Sequence, residues 1–279
     1  MTPRPLLRAG QMAWLAEIGL DTHWLALRPD AMTRPAEPVP VPVPVQADVD
    51  VDARPAPRPA ILPGLTRVRA PAGLADAPVP ETIAPAACAD LAALDVAVSA
   101  CRQCGRHAHR AHAVSGSGHA ERPYYLIIGE QPGIEDDATG QPFQSDQGRL
   151  LAAMLAAVRL PHGDSTYLTY AVKCRAVSGR EPSAQDIAAC RPWLRRQIDL
   201  LQPRWILALG RVAAQTVIGT DTDLEGLRGG PHHYTPEGGE PIPVWVTHQP
   251  SSLLVRSAWK AEAWRDLVAL AAAVRERAG

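Results

Sequence analysis

The chain has 279 residues and a formal net charge of −1, with 28 lysines and arginines against 29 acids. This length allows one or two domains with real cores, and the balanced charge does not indicate a protein that binds nucleic acid over its whole surface. No run approaches the roughly 18 apolar residues that a membrane span requires, and the N-terminus lacks the apolar core of a secretion signal. We therefore expect a soluble, cytoplasmic protein with no membrane partner.

A short apolar segment with two tryptophans stands near the N-terminus. Trp14, Leu15, Ile18 and Trp24 can share one side of a short helix that is broken near Gly19. The segment is too small for a core of its own, so we predict that it docks on a partner protein. The alternative is a helix that folds back onto the main domain.

A Pro-rich stretch with alternating Val-Pro pairs, "EPVPVPVPV", follows this segment. Proline donates no backbone hydrogen bond, so the stretch cannot form a helix or a sheet ladder. It is typical of an extended, disordered and semi-rigid linker. The predicted organisation is a docking peptide over 1–32, a linker over 33–87 and a globular domain over 88–279.

The globular part alternates apolar strand-like runs with helix-like runs, which favours a parallel sheet with helices on both faces. Ser183 is a good N-cap for one helix, with Asp186 three residues on. Ligands of such sheets bind at the carboxyl ends of strands, where Gly129, Val172 and His248 fall. The predicted strands are 124–129, 166–172, 204–210 and 243–248; the predicted helices are 146–158, 183–201, 211–219 and 258–274.

The loop after the first predicted strand, "GEQPGIEDDATGQPF", runs from Gly129 to Phe143. It contains glycines, prolines, four acids and the only phenylalanine of the chain. A strand that ends in such a loop usually presents it to a ligand.

Four of the five cysteines have the spacing of a metal site. Cys101 and Cys104 form a C-x2-C pair, and Cys174 and Cys190 come much later in the chain. Two close and two distant thiolates suit a four-sulfur site for zinc or for an iron–sulfur cluster, although a C-x2-C pair alone also occurs in redox proteins. Cys88 is the spare.

These motifs, taken in order, resemble the iron–sulfur (family 4) uracil-DNA glycosylases. The quoted loop, "VKCR", the C-x15-C spacing from Cys174 to Cys190, "ALGR", "LRG" and "PSSLLVR" carry the resemblance, which covers about residues 98–270. It implies a three-layer α/β/α sandwich on a central parallel sheet. It also implies a [4Fe-4S] cluster with four cysteine ligands: Cys101, Cys104, Cys174 and Cys190.

The resemblance implies that a base is flipped out of DNA into a pocket and excised. Phe143 matches the phenylalanine that stacks on the base, and Gln131 belongs to the same base pocket. Glu130 matches the glutamate of the motif, while Glu135 and Asp136 stand where the family carries acids near the attacking water.

Two positions depart from the family pattern. Tyr170 stands where the family has its uracil-reading asparagine, and it offers one hydroxyl instead of a paired donor and acceptor. Gln249 replaces the family's histidine; His248 lies one place early, where a strand points its side chain the other way, unless the register slips. Each loss typically lowers the rate by about 10²–10³, so we expect efficient uracil excision to be lost.

The N-terminal segment "WLAEIGLDTHWLALRP" resembles the N-terminal peptide of the psi subunit of bacterial DNA polymerase III. In that family the peptide docks on the clamp-loader collar, and the rest of psi binds the chi subunit. The Pro-rich tether would then supply reach between two docking sites. The resemblance implies these docking anchors: Trp14, Leu15, Ile18, Leu20 and Trp24.

Two main functions follow. The first is a non-catalytic, replisome-associated accessory subunit of the clamp loader; the second is an active glycosylase, on uracil or another base, carried to the replication fork by the same peptide. A plain repair glycosylase would leave the N-terminal tryptophans unexplained. Single- or double-stranded DNA is a further expected partner, and Arg256 is the best single candidate for a phosphate contact.

Overall fold

The computed structural model describes residues 84–160, 163–237 and 239–278. The predicted docking peptide, with Trp14 and Trp24, and the linker as far as residue 83 lie outside these described residues. None of the helices in the described part is both long and apolar enough to cross a membrane.

The described residues form a sheet of six strands in the spatial order β1-β3-β2-β4-β6-β5. The four inner strands are parallel, and the two edge strands run antiparallel to their neighbours. The strands are β1 (Ser117–Gly118), β2 (Tyr125–Gly129), β3 (Thr166–Tyr170), β4 (Trp205–Leu209), β5 (His232–Tyr234) and β6 (Ile242–Thr247).

Helices connect the strands and cover both faces of the sheet. Among the described residues they are α1 (Leu91–Ala100), α2 (Ile134–Thr139), α3 (Asp146–Ala157), α4 (Ala184–Leu201), α5 (Arg211–Ile218), α6 (Leu224–Leu227), α7 (Pro250–Val255) and α8 (Lys260–Ala278). Short 3₁₀ turns lie at Pro85–Ala87, Gly105–His109, Gly163–Ser165 and Ser257–Trp259.

The inner strands are buried on both faces, which explains why β2 is apolar throughout rather than alternating. Tyr125 and Ile127 pack into the core beneath α3, α7 and α8. Leu126 and Ile128 point the other way, into the core beneath α4 and α5. The predicted α/β fold with helices on both faces is therefore confirmed. The sheet is mixed rather than wholly parallel, because the two short edge strands are antiparallel.

A third apolar cluster packs α1 against α4, with Leu94, Val98 and Trp193 at its centre. Cys88 is 1% exposed and belongs to this cluster, and the guanidinium of Arg196 donates to its carbonyl at 2.9 and 2.6 Å. The cluster fixes the helix that leads directly into the C-x2-C pair.

The start of α4 is closed by the predicted N-cap. The Ser183 hydroxyl accepts from the Asp186 N–H at 3.2 Å, and the Asp186 carboxylate accepts from the Ser183 N–H at 3.0 Å. This reciprocal capping box satisfies two amide donors that the helix geometry leaves unpaired.

Removal of this cap is expected to lower the stability of the domain. Ser183→Ala should destabilise it by about 1 kcal/mol, which corresponds to a fall of roughly 2–4 °C in the thermal unfolding midpoint of a domain of this size. Ser183→Asn is the matched control, because asparagine keeps a side-chain acceptor and should unfold within about 1 °C of the parent protein. Equal midpoints for Ser183→Ala and the parent would contradict a stabilising role for the cap.

Candidate functional site

The loop that follows β2 is organised around one buried carboxylate. Asp136, in α2, is fully buried and accepts from the N–H of Gly133 at 2.8 Å and from the N–H of Gln144 at 2.8 Å. The amide of Gln147 lies 3.4 Å from the same carboxylate. Asp136 therefore ties together the two ends of the loop.

Tyr170, the last residue of β3, completes this arrangement. Its hydroxyl donates to the Asp136 carboxylate at 2.7 Å and accepts from the N–H of Phe143 at 3.1 Å. Burial first, and then the neighbouring carboxylate, raise the pKa of the Tyr170 hydroxyl well above its ordinary value. The hydroxyl therefore remains a protonated donor.

The ring of Tyr170 stacks on the ring of Phe143, with centroids 4.9 Å apart and planes at 23°. Phe143 has φ 57°, a left-handed conformation that is uncommon for a residue with a bulky side chain. A Cβ on Gly129 would lie 2.7 Å from the Tyr170 ring and 2.9 Å from the Phe143 ring. Tyr170 thus fills the space beside Phe143.

An open cleft of about 590 Å³ lies beside this packed pair, at the carboxyl ends of the parallel strands. Its polar wall contains Glu130, Gln131, Gln147 and Gln249, and Arg175 also lines it. Its rim includes four exposed apolar side chains: Ile134, Val177, Leu254 and Val255. Neither Phe143 nor Tyr170 is among the described residues that line the cleft.

Two of the predicted site residues on this wall are already bonded to protein groups. The carboxylate of Glu130 accepts from the N–H of Val212 at the start of α5, at 3.0 Å. Burial raises the pKa of Glu130, and the Val212 hydrogen bond opposes that rise. The amide of Gln131 accepts from Arg106 at 2.6 Å and donates to the carbonyl of Arg180 at 3.0 Å.

Gln249 and His248 point in different directions at the end of β6. Gln249 is 5% exposed and lines the cleft. Its buried Oε1 has no hydrogen-bond partner among the described residues. His248 does not line the cleft; its Nε2 lies 2.9 Å from the Glu262 carboxylate, and its ring stacks on Trp259 at 4.9 Å. The amide, rather than the imidazole, therefore reaches the cleft.

Arg256 lies at the end of α7, exposed, with its guanidinium 4.4 Å from the centre of the Trp259 ring. It is close in sequence to Leu254 and Val255 on the cleft rim, which are 49% and 84% exposed. A phosphate contact by Arg256 stays a prediction.

The four cysteines predicted as ligands line one pocket, together with Arg110, Lys173 and Trp193. Cys88 is not among the residues that line it. The guanidinium of Arg110 donates to the Cys174 sulfur at 2.8 Å, and the N–H of Lys173 donates to the Cys190 sulfur at 3.3 Å. Hydrogen bonds to sulfur are a common feature of thiolate-ligated metal centres.

The spacing of the sulfur atoms distinguishes between a single ion and a larger group. One zinc ion with Zn–S bonds of about 2.3 Å holds its sulfurs roughly 3.8 Å apart. Among the described residues, no three cysteines bring their sulfurs within 4.8 Å of one another. Burial also raises the pKa of Cys190 to about 12 and raises that of Cys174, so thiolates there need a strongly cationic group beside them. The pocket fits a multi-iron group better than zinc.

Another group with possible metal ligands consists of Glu225, His248 and Glu262. The guanidinium of Arg228 forms ion pairs with Glu262 at 2.5 Å and Glu225 at 3.0 Å, and also with Asp266 at 3.0 Å. These ion pairs already offset the acidic charge, so the group carries no argument for a bound cation.

Arg106 is a site residue that the sequence reasoning missed. It is 3% exposed and lies 3.0 Å from the Asp186 carboxylate, while it donates to the Cys174 carbonyl at 3.1 Å. It joins the cysteine segment to α4 and, through Gln131, to the cleft. The sequence feature that could have indicated Arg106 is the group of basic residues beside the cysteines, in "CRQCGRHAHR" and "VKC".

Three similar proteins are each described as a type-4 uracil-DNA glycosylase. The one from Pyrobaculum aerophilum is 32% identical over 181 residues, which cover 64% of this chain and 91% of that protein. Those from Archaeoglobus fulgidus and Thermotoga maritima are 31% and 34% identical, covering 57% and 56% of this chain and 80% and 79% of the relatives.

The sequence model of the uracil DNA glycosylase superfamily matches residues 116–268, which is more than half of the chain. This match spans all six strands of the sheet, the loop around Asp136, and Cys174 and Cys190. The chain therefore belongs to the uracil DNA glycosylase superfamily.

Proposed function

We propose that this chain is an iron–sulfur member of the superfamily that binds DNA but does not excise uracil efficiently. Its N-terminal peptide would hold it at the clamp loader of DNA polymerase III as an accessory subunit. The observation that carries the proposal is the position of Tyr170, whose ring covers Phe143 and whose hydroxyl is bonded to Asp136.

The stacked rings of Tyr170 and Phe143 oppose the excision of a flipped base in two ways. A uracil that stacked on this face of Phe143 would have to displace a fully buried tyrosine ring. A buried Tyr170 hydroxyl with both donor and acceptor roles already used offers the base no free hydrogen bond. Asp136 is likewise occupied by protein donors, so it is not free to orient a water molecule.

The four-cysteine pocket supports a [4Fe-4S] cluster held by Cys101, Cys104, Cys174 and Cys190. When bound, such a cluster supplies a rigid four-point link and the cationic iron that buried thiolates require. Arg110 and the Lys173 N–H lie where they would stabilise the sulfur ligands. We propose a structural role, in which the cluster holds the C-x2-C segment against α4.

The clamp-loader proposal rests on the sequence of the N-terminal peptide. Tryptophan and leucine are common anchors in protein grooves, and Trp14 and Trp24 lie on one predicted face. The Pro-rich linker would allow the globular domain to stay near DNA while the peptide remains docked.

The second candidate function is an active glycosylase at the replication fork. One observation favours it: the buried amide of Gln249 lies on the wall of a cleft at the carboxyl ends of the strands, and its Oε1 has no partner in the part of the chain that the structure describes. An amide presents a donor and an acceptor side by side, as a pyrimidine edge requires. In this mechanism Gln249 would orient a flipped base within the cleft, with the Glu130 carboxylate beside it.

The first test is single-turnover release of uracil from single-stranded and duplex DNA by anaerobically purified, cluster-loaded protein. We expect the Tyr170→Asn, Gln249→His double variant to act at least about 100-fold faster than the parent chain, because each restored group contributes about 10²–10³ in rate. The measurement is the rate of abasic-site formation.

Tyr170→Phe is the matched control for this test. It keeps the ring on Phe143 and removes only the hydroxyl, so it should remain as slow as the parent chain. A parent chain that releases uracil as fast as the double variant would overturn the proposal in favour of the active glycosylase. The same uracil-release assay on Gln249→Leu would then test whether the Gln249 amide contributes to excision.

The second test concerns the cluster. Cys190→Ser should lose most of the iron, the acid-labile sulfide and the visible absorbance of the purified protein, because one of four ligands is removed. Cys88→Ser is the matched control: Cys88 is equally buried but lies in the apolar cluster, so its iron content should equal that of the parent. Unchanged iron in Cys190→Ser, or iron replaced by zinc in the parent, would contradict the assignment.

The third test concerns the docking peptide. In a pull-down with purified clamp loader, the Trp14→Ala, Trp24→Ala double variant should retain less than about a tenth of the binding, because removal of buried aromatic anchors typically costs 2 kcal/mol or more each. Trp259→Ala, in the globular domain, is the control and should bind as the parent does. Binding of the parent that the N-terminal substitutions leave intact would refute this mode of docking.

A further inference from the structure

A second pocket, of about 410 Å³, lies at the amino ends of the parallel strands. Its walls include residues at the start of β2, β4 and β6, together with the last turns of α8. The cleft of the candidate site lies at the opposite, carboxyl ends of the same strands, so the two are separate. This volume is within the range of small-ligand sites in proteins.

Arginine and aromatic side chains are paired on the wall of this pocket. The guanidinium of Arg204 lies 5.6 Å from the centre of the Tyr124 ring, and that of Arg277 lies 5.6 Å from the centre of the Trp205 ring. Arg122 is the third arginine on the wall. A guanidinium held over an aromatic face keeps its in-plane N–H donors available for an anion.

These three arginines have no carboxylate partner among the described residues, in contrast to Arg106 and Arg228, which are ion-paired. Glu240 is the one acid among the described residues that line the pocket, against three arginines. The wall therefore carries an excess of positive charge at a concave site, in a chain whose overall charge is close to zero.

We propose that this pocket binds a nucleotide unit through its phosphate. Arginine is suited to phosphate because its planar fork donates two parallel hydrogen bonds. The outer face of a guanidinium that already lies over an aromatic ring, as Arg204 lies over Tyr124, can in addition stack on a base. The nucleotide unit can belong to a DNA strand or be a free nucleotide. The site does not depend on whether the cleft excises a base.

The test compares binding of two probes to the full-length, cluster-loaded protein. A short fluorescein-labelled oligothymidylate is titrated by fluorescence anisotropy at several salt concentrations, and thymidine monophosphate is titrated by calorimetry. In the Arg204→Ala, Arg277→Ala double variant we expect at least a tenfold loss of strand affinity. The plot of log affinity against log salt concentration should become less steep by about 1.4, because each lost phosphate contact with a single strand reduces the magnitude of the slope by roughly 0.7.

Arg265→Ala is the matched control, since Arg265 is an exposed arginine of α8 that does not line the pocket. It should bind as the parent does. Equal thermal midpoints and iron contents of parent and variants would establish that the fold is intact. If the double variant binds neither the oligothymidylate nor thymidine monophosphate, the result supports the site. If it loses only the binding of the oligothymidylate, the result supports the site and indicates that its phosphate belongs to a DNA strand. Unchanged binding in the double variant, or no binding of either probe by the parent, overturns it.

Discussion

The carboxylate of Asp136 is the constraint on which the candidate site depends. It is fully buried, and a buried charge is tolerated only where hydrogen-bond donors surround it. The donors come from Gly133 and Gln144 in the loop and from Tyr170 at the end of β3. The loop and the strand end are therefore held as one unit. The bonds that preserve the shape of the loop are the same bonds that keep Tyr170 beside Phe143.

A second polar network joins the cysteine segment to this unit. Arg106 lies between Asp186, which also caps α4, and Gln131 on the cleft wall. Burial raises the pKa of Asp186, but hydrogen bonds from Ser183 and Arg106 outweigh it and leave the pKa lowered. A lowered carboxyl pKa stabilises the fold above the unfolded-state pKa, and that contribution is lost as the pH falls through the folded-state pKa. The contribution of Asp186 to this network is therefore fully present at neutral pH and is lost only in acid, below the ordinary pKa of an aspartate.

Much of this fold could be predicted from the sequence, because its inner strands are unbroken apolar runs. The four predicted strands match β2, β3, β4 and β6 to within two residues at each end. The edge strands were missed because segments of two or three residues are too short to carry a periodic signal. The alternation of side chains along a strand also predicted that His248 and Gln249 point in opposite directions. The bond between Tyr170 and Asp136 spans 34 residues of sequence, and no local pattern encodes it.

Unsatisfied polar groups are distributed unequally between the ends of β3 and β6. At the end of β3, the Tyr170 hydroxyl both donates and accepts a hydrogen bond, and its ring fills the space beside Phe143. At the end of β6, the buried Gln249 Oε1 has no hydrogen-bond partner within residues 84–160, 163–237 and 239–278, an arrangement that typically costs about 1–3 kcal/mol. Sites that bind ligands commonly retain such groups at the expense of stability. Of these two side chains, Gln249 is therefore the one that offers the cleft an unused acceptor.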